Sequence, residues 1–328
     1  MIAIKQANKP IIGLDEKSRT WAEIEQEYVK IVTSDLNTHI MKRLKKIKFY
    51  KDLKDQNEKD CLEKFAKLCL NKVSVLLLVK ESEIDSQLPD LKATVAQQVN
   101  KKFMLELYTE LRIKFGHWFA NVFGIKVCPY CNNQFVLSIG NDNKALYQLD
   151  HYYHKGEYPL LAISVNNLIP SCATCNQAKS TSPSFFNPLT ESFHEKAKFA
   201  LASGKGFVDL SDKRGLATAK LVLAEMPGLS PEDKGKVKKH RKAFKLEGIY
   251  NLHKDIVEEL YWKRGIYSDS QKGEIKNHLC KFFEIDPTSD IEAELNRFIL
   301  GNYYKEEDFH KRIHTKLTHD IAKELKLI

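Results

Sequence analysis

Two short motifs, Cys128-Pro129-Tyr130-Cys131 and Cys172-Ala173-Thr174-Cys175, constrain this chain more than anything else in it. Cysteines two residues apart can place both thiolates on one metal ion, and two such pairs complete a tetrahedral set of four sulfurs. Disulfides, a redox pair and scattered core cysteines are the other ways to use such residues. The N-terminal stretch mixes Lys5, Lys9 and Asp15 into its few apolar residues, unlike a secretory leader. That points to a reducing, cytoplasmic setting in which structural disulfides do not persist. One Cys-x-x-Cys can be redox active, but two of them roughly 40 residues apart fit a zinc site far better. Cys61, Cys69 and Cys280 stand alone in apolar or helical surroundings and read as core thiols.

At 328 residues, with 43% hydrophobic and 29% charged content, the chain has the composition of a soluble globular protein of two or three domains. Its longest apolar run, Val73 to Val79, is strand length, a buried strand or a core helix segment, so membrane insertion is excluded. The formal charge of +9 favours a polyanionic partner. Lys42, Arg43, Lys45, Lys46, Lys48 and Lys51 form one basic cluster. Lys234, Lys236, Lys238, Lys239, Arg241, Lys242 and Lys245, with His240, form another. A solvated helix face accounts for either as well as phosphate contact does.

The pattern predicts an α+β chain in three segments: mainly helical over 1–124, mixed over 125–190, and mainly helical again over 191–328. Thr20 and Glu23 form a capping box ahead of Trp21, Ile24, Tyr28 and Ile31 on one face. Val95, Val99, Phe103, Leu107 and Leu111 mark a long amphipathic helix from about Leu91 to Phe115. Phe135 to Ile139 and Ala145 to Leu149, joined by Gly140-Asn141-Asp142-Asn143, read as a β-hairpin, with Asp150-His151 where its second strand ends. Asn167 to Ser171 can form a strand before a helix near Cys175. After Pro188 the spacing of Leu246, Ile249, Tyr250, His253, Val257 and Leu260 is helical, as is that of Phe309, Ile313, Leu317, Ile321 and Leu325.

Between the cysteine pairs sit residues suited to cutting a phosphodiester, which needs an activated water and a cation to neutralise phosphoryl charge. The His151 imidazole can take a proton from water near neutral pH, and the Asp150 carboxylate can hold a hard cation. Asn176, next to Cys175, would add a second oxygen ligand.

These residues resemble the HNH endonucleases, a branch of the His-Me finger nucleases. The likeness is carried by Cys128-Pro129-Tyr130-Cys131, Leu149-Asp150-His151, and Asn167 through Lys179 with its Cys172-Ala173-Thr174-Cys175-Asn176 run. It implies a small zinc-stabilised ββα-metal core, with Zn²⁺ on Cys128, Cys131, Cys172 and Cys175. It implies a catalytic metal on Asp150 and Asn176, His151 as general base, and Asn167 holding the base-bearing loop. Many members carry His where this chain has Asn176, and the all-oxygen pair that results favours Mg²⁺ or Mn²⁺. The run Asp150 to Pro159, followed by Asn187-Pro188, is similar to a subgroup of bacterial HNH proteins, some of them encoded beside an ATPase in antiphage loci such as Septu. The expected partner is nucleic acid, DNA ahead of RNA, with an ATPase as a candidate protein partner.

Lys179, one helical turn beyond Asn176, and Lys155 are expected to touch the nucleic-acid backbone. His154 reads as a loop residue ahead of one that assists the metal or contacts phosphate, and Tyr152 and Tyr153 as loop packing ahead of stacking on bases. His117, His194, His240, His253, His278, His310, His314 and His319 have no partner at ligand spacing. Two other functions compete: a zinc-stabilised nucleic-acid-binding module without catalysis, and an effector subunit active only with an ATPase or sensor.

Overall fold

Thr20 and Glu23 cap each other as their spacing predicts. The Thr20 N–H donates to Glu23 Oε2 at 2.7 Å, and the Glu23 N–H to Thr20 Oγ1 at 3.3 Å. From this box the first helix, α1 (Trp21–Leu44), buries Ile24, Tyr28 and Val32. The structure is a computed structural model that describes residues 4, 10–44, 48–139, 144–181, 185–202, 219–284, 286 and 291–328. The side chains of Lys42, Arg43, Lys45, Lys46 and Lys48, and the expected turn Gly140-Asn141-Asp142-Asn143, lie outside what is described.

The chain is α+β and divides into two compact units. One comprises Ile4–Ile125 with Val136–Pro183, and the other comprises Lys126–Phe135 with Ser184–Ile328. These boundaries differ from the three expected segments, because 125–190 is shared between the units. The physical reason lies in the packing of the first unit, where the strands after Val136 join the core of the helices before them. Tyr108 donates to the Leu149 carbonyl at 3.0 Å, and the Ala120 N–H donates to Tyr147 Oη at 3.0 Å.

In the first unit β1 (Ile11–Ile12) and β2 (Ser18–Arg19) pair ahead of α1. After α2 (Lys48–Asp52), Asp55 caps α3 (Gln56–Asn71) by accepting from the Asn57 N–H at 2.8 Å. The apolar run at Val73 is helical, forming α4 (Val73–Leu78) with Val73, Leu76 and Leu77 buried. Next come α5 (Ile84–Gln87), α6 (Pro89–Val95) and α7 (Gln98–Val122). The single helix expected from Leu91 to Phe115 is therefore two. Gln97 is extended, and the Asn100 carboxamide donates to the Thr94 carbonyl at 2.9 Å, closing α6 as α7 begins. The stripe Val99, Phe103, Leu107 and Leu111 is buried as expected.

The hairpin is β3 (Leu137–Ile139) against β4 (Lys144–Leu146), with Leu137 opposite Leu146. Tyr147 interrupts it. Asp150-His151 then closes a further strand, β5 (Gln148–His151), rather than the second strand of the hairpin. This strand pairs antiparallel with β6 (Leu168–Ser171), placing Asp150 opposite Ile169 and His151 opposite Leu168. The helix α8 (Ala173–Lys179) follows at once and packs on β5.

The second unit has a hairpin of β7 (Ala197–Ala202) and β8 (Lys220–Glu225), with Phe199 opposite Leu223. The reading of this region as helical missed it, although Ala197, Phe199, Leu221 and Leu223 alternate inward at period two. The remaining elements are helical: α9 (Pro231–Ala243), α10 (Leu246–Tyr250), α11 (Lys254–Ile266), α12 (Asp269–Phe282), α13 (Glu292–Leu300) and α14 (Thr315–Glu324). A 3-10 turn over Asn251–His253 splits the expected stripe between α10 and α11, yet Leu246, Tyr250, Val257 and Leu260 are all buried. The last helix starts later than Phe309, since His314 adopts a left-handed φ of 60° and turns the chain into α14. Among the described residues no helix is long and apolar enough to cross a membrane.

Candidate metal centre and active site

Each cysteine pair is shaped by backbone N–H groups that turn toward sulfur. Asn132, in the left-handed region at φ 52°, reverses the chain after Cys131, and its N–H donates to the Cys128 carbonyl at 2.9 Å. The Asn133 N–H then donates to Cys131 Sγ at 3.4 Å. Asn132 also anchors this knuckle in the second unit. Its carboxamide donates to the Phe309 carbonyl at 2.9 Å and accepts from Thr315 Oγ1 and the Lys316 N–H, both at 3.1 Å. In the other pair Cys172 is the N-cap of α8, and its Sγ accepts from the Cys175 N–H at 3.4 Å. All four cysteines are buried, and their sulfurs lie within 4.8 Å of one another. Such a set of sulfurs can hold one structural metal ion, and backbone donors aimed at sulfur favour the thiolate that binds it.

The Asp150-His151 pair sits where β5 ends, at 3% and 7% exposure. The His151 Nε2 lies 3.0 Å from the Ala162 carbonyl oxygen. A carbonyl can only accept, so Nε2 carries the proton and the basic lone pair belongs to Nδ1. Burial, helped by the charges of Lys155 and Lys179, pulls the His151 pKa down to about 3 and keeps the ring neutral. Tyr108 of α7 meets the imidazole edge-on at 4.3 Å, and burial raises its phenol to about 12.

Asn167 organises the segment that follows His151. Its Oδ1 accepts from the Tyr153 N–H at 2.7 Å, and its Nδ2 donates to the carbonyls of Tyr153 and Leu161, each at 3.1 Å. The Asn167 carbonyl also accepts from the Tyr152 N–H at 3.0 Å. One buried carboxamide thus ties both ends of the loop that carries Ala162. Tyr152, Tyr153 and Tyr158 pack against one another, and His154 accepts from the Gly156 N–H at 3.3 Å inside the loop.

Lys179 departs from expectation. Its side chain is fully buried, and its ammonium donates to the His151 carbonyl at 2.7 Å while lying 3.4 Å from Asp150 Oδ2. Burial lowers its pKa and Asp150 opposes the shift. A group so placed holds the ends of β5 and α8 together and does not reach a nucleic-acid backbone. The reason is local: Lys179 lies on α8, which packs on β5, and it supplies a donor to the buried His151 carbonyl. Asn176, three residues earlier on α8, is half-buried. Lys155 is also half-buried, with its ammonium 4.4 Å from the Tyr108 ring centroid. Burial, and then the charge of Arg112, lower its pKa.

Tyr108, Arg112 and Ala162 were not legible as site residues. The first two lie in α7, whose stripe read only as core, and Ala162 acts through its carbonyl. In the other basic cluster His240 is buried, Lys236 pairs with Glu191 at 2.9 Å, and Arg241 donates to the Leu223 carbonyl at 3.1 Å. Lys234, Lys238, Lys239, Lys242 and Lys245 stay exposed. Cys69 and Cys280 are buried as expected, while Cys61 is only half-buried. No family model, curated protein or solved structure matches the chain.

Proposed function

We propose that this chain is a metal-dependent endonuclease of the HNH type it resembles, hydrolysing phosphodiester bonds of nucleic acid, DNA ahead of RNA. The observation that carries the reading is the state of His151. It is neutral, and its Nε2–H is committed to the Ala162 carbonyl, which leaves the Nδ1 lone pair as the basic position of a buried ring at the end of β5. A general base needs that arrangement: a lone pair available at neutral pH on a ring that cannot rotate. The order β5, loop, β6, α8 supports a ββα-metal core, with Asn167 fixing the loop.

In the proposed mechanism His151 Nδ1 accepts the proton of the attacking water, and the Nε2–H bond to Ala162 strengthens as the ring gains charge. Asp150 and Asn176 are hard oxygen donors suited to Mg²⁺ or Mn²⁺. When bound there, that ion would neutralise charge developing on the phosphoryl oxygens. Lys155, propped on Tyr108, is left to contact phosphate. The four buried thiols are assigned to structural Zn²⁺.

The test is incubation of purified chain with plasmid DNA, and separately with RNA, in Mg²⁺. Wild type should cut and leave 5′-phosphate and 3′-hydroxyl ends. His151→Ala should lose on the order of 10²-fold or more in rate. Equal cutting by both, or none on any substrate tried, overturns the reading, and binding without cutting would point to the zinc-stabilised binding module. The likeness to antiphage HNH proteins extends the proposal to a defence effector paired with an ATPase. Recovery of the chain from its native operon with no partner would count against that extension.

A further inference from the structure

His194, Glu306 and His319 bring three donor atoms within 4.8 Å of one another, inside the second unit. They come from the loop before β7, a 3-10 turn at Glu306–Asp308, and α14, so no spacing in the sequence announces them. Glu306 Oε1 lies 3.0 Å from His194 Nε2 and 3.9 Å from His319 Nε2.

Both rings are held with Nε2 toward that carboxylate. The His319 Nδ1 is 2.5 Å from the Tyr304 carbonyl oxygen, which can only accept, so Nδ1 bears the proton and Nε2 presents its lone pair. An imidazole fixed by a backbone carbonyl in this way is the tautomer that binds a metal. The His194 Nδ1 faces a buried pair, with Lys316 Nζ at 3.0 Å and Asp320 Oδ1 at 3.9 Å. Asp320 is itself anchored by Lys316 at 2.8 Å and by the Phe199 N–H at 2.8 Å. Phe309 packs edge-on against both imidazoles, at 4.9 Å and 5.2 Å. The two rings are inside, at 13% and 6% side-chain exposure, while Glu306 at 55% stands at the surface and offers a way in.

We propose that His194, His319 and Glu306 form a binding site for a first-row transition-metal dication, zinc foremost, distinct from the cysteine centre and from Asp150. With bonds of about 2.0–2.2 Å, the ligands of such an ion sit roughly 3–3.5 Å apart, so small side-chain movements close the site. Two imidazoles and one carboxylate are a borderline donor set that Mg²⁺ does not favour and Zn²⁺, Co²⁺ or Ni²⁺ does. The cation takes the place of the proton between His194 Nε2 and Glu306, which leaves to solvent, while Lys316 passes a proton to His194 Nδ1, so that His194 stays a neutral imidazole and Lys316 becomes a neutral amine beside Asp320. Three protein ligands leave at least one coordination position for water or a small anion.

Co²⁺ titration of the full chain, purified with its cysteines loaded with zinc and assayed without Mg²⁺, tests this. Wild type should take up an equivalent of Co²⁺ with d–d absorption and no thiolate-to-metal charge-transfer band. Glu306→Gln and His319→Gln should bind that equivalent at least tenfold more weakly, whereas Asp150→Asn should retain it. Because Glu306 is at the surface, Glu306→Gln should keep the wild-type circular-dichroism spectrum, and added Zn²⁺ should raise the melting temperature of wild type but not of this variant. Absence of this equivalent in wild type, its loss in Asp150→Asn, or its full retention in both Glu306→Gln and His319→Gln would overturn the site.

Discussion

Single side chains decide most of what can be tested. Asn167 makes three hydrogen bonds through its buried carboxamide, so Asn167→Ala leaves the Tyr153 N–H and two carbonyls without that partner. The expected loss is about 3 kcal/mol of unfolding free energy, measured by urea denaturation. Lys179→Met should likewise cost about 3 kcal/mol, because it removes the cation facing the buried Asp150 carboxylate and the donor to the His151 carbonyl. A lysine that only touched phosphate would leave urea stability unchanged, which makes the same denaturation curve decisive. For His151, a pKa of about 3 means that its protonation should not produce an acid limb near pH 6.5 in the cleavage profile. An acid limb near 6.5 that disappears in a His151 variant would contradict the neutral, buried ring. Asp150, His151 and Asn167 stand out in the sequence as candidates, because residue type and order alone single them out. The inward turn of Lys179 was not legible there, since the direction of a long flexible side chain depends on which buried acceptors lie within its reach.

At the scale of elements, the two cysteine knuckles are small, and Tyr130 of the first is fully buried and stacks on Phe244. Asn132 and the N-terminus of α8 shape them, and a metal would supply the remaining folding free energy. Elemental analysis of the purified chain should find about one Zn²⁺ on the cysteines. Cys172→Ser should release it and lower the melting temperature sharply, and retention of both metal and stability would reject the assignment. The hairpin was legible from its alternation and turn residues, but its end was not. Tyr147 breaks the strand because its hydroxyl donates to the Gly116 carbonyl and accepts from the Ala120 N–H, a contact with α7 invisible to local pattern. The same holds for Gln97 and Asn100, where one carboxamide splits a stripe that reads as continuous. The strands β7 and β8 were missed because period-two alternation over six residues is weak beside the helical signal around it.

For the molecule as a whole, buried neutral histidines set the acid response. His240 and His151 are both pulled by burial from 6.5 to about 3. Above pH 6.5 both are neutral folded or unfolded, and their contribution to stability is fully present. As pH falls from 6.5 toward 3 the unfolded chain takes up protons that the folded one refuses, so stability declines by about 1.4 kcal/mol per pH unit for each ring. Melting temperature should therefore drop steadily as pH falls from 6.5 to 4 in low-salt buffer, and a flat profile would show that these rings are exposed or charged.

The sequence by itself determined the four-cysteine cluster and the mixed α+β class, and it singled out Asp150, His151, Asn167 and Asn176 as candidates, because short-range spacing and residue chemistry specify them. Tertiary structure decided the inward role of Lys179, the tautomer of His151, the sharing of 125–190 between two units and the meeting of His194, Glu306 and His319. Each of these depends on which groups are denied water and must find partners far along the chain, and no local pattern records that.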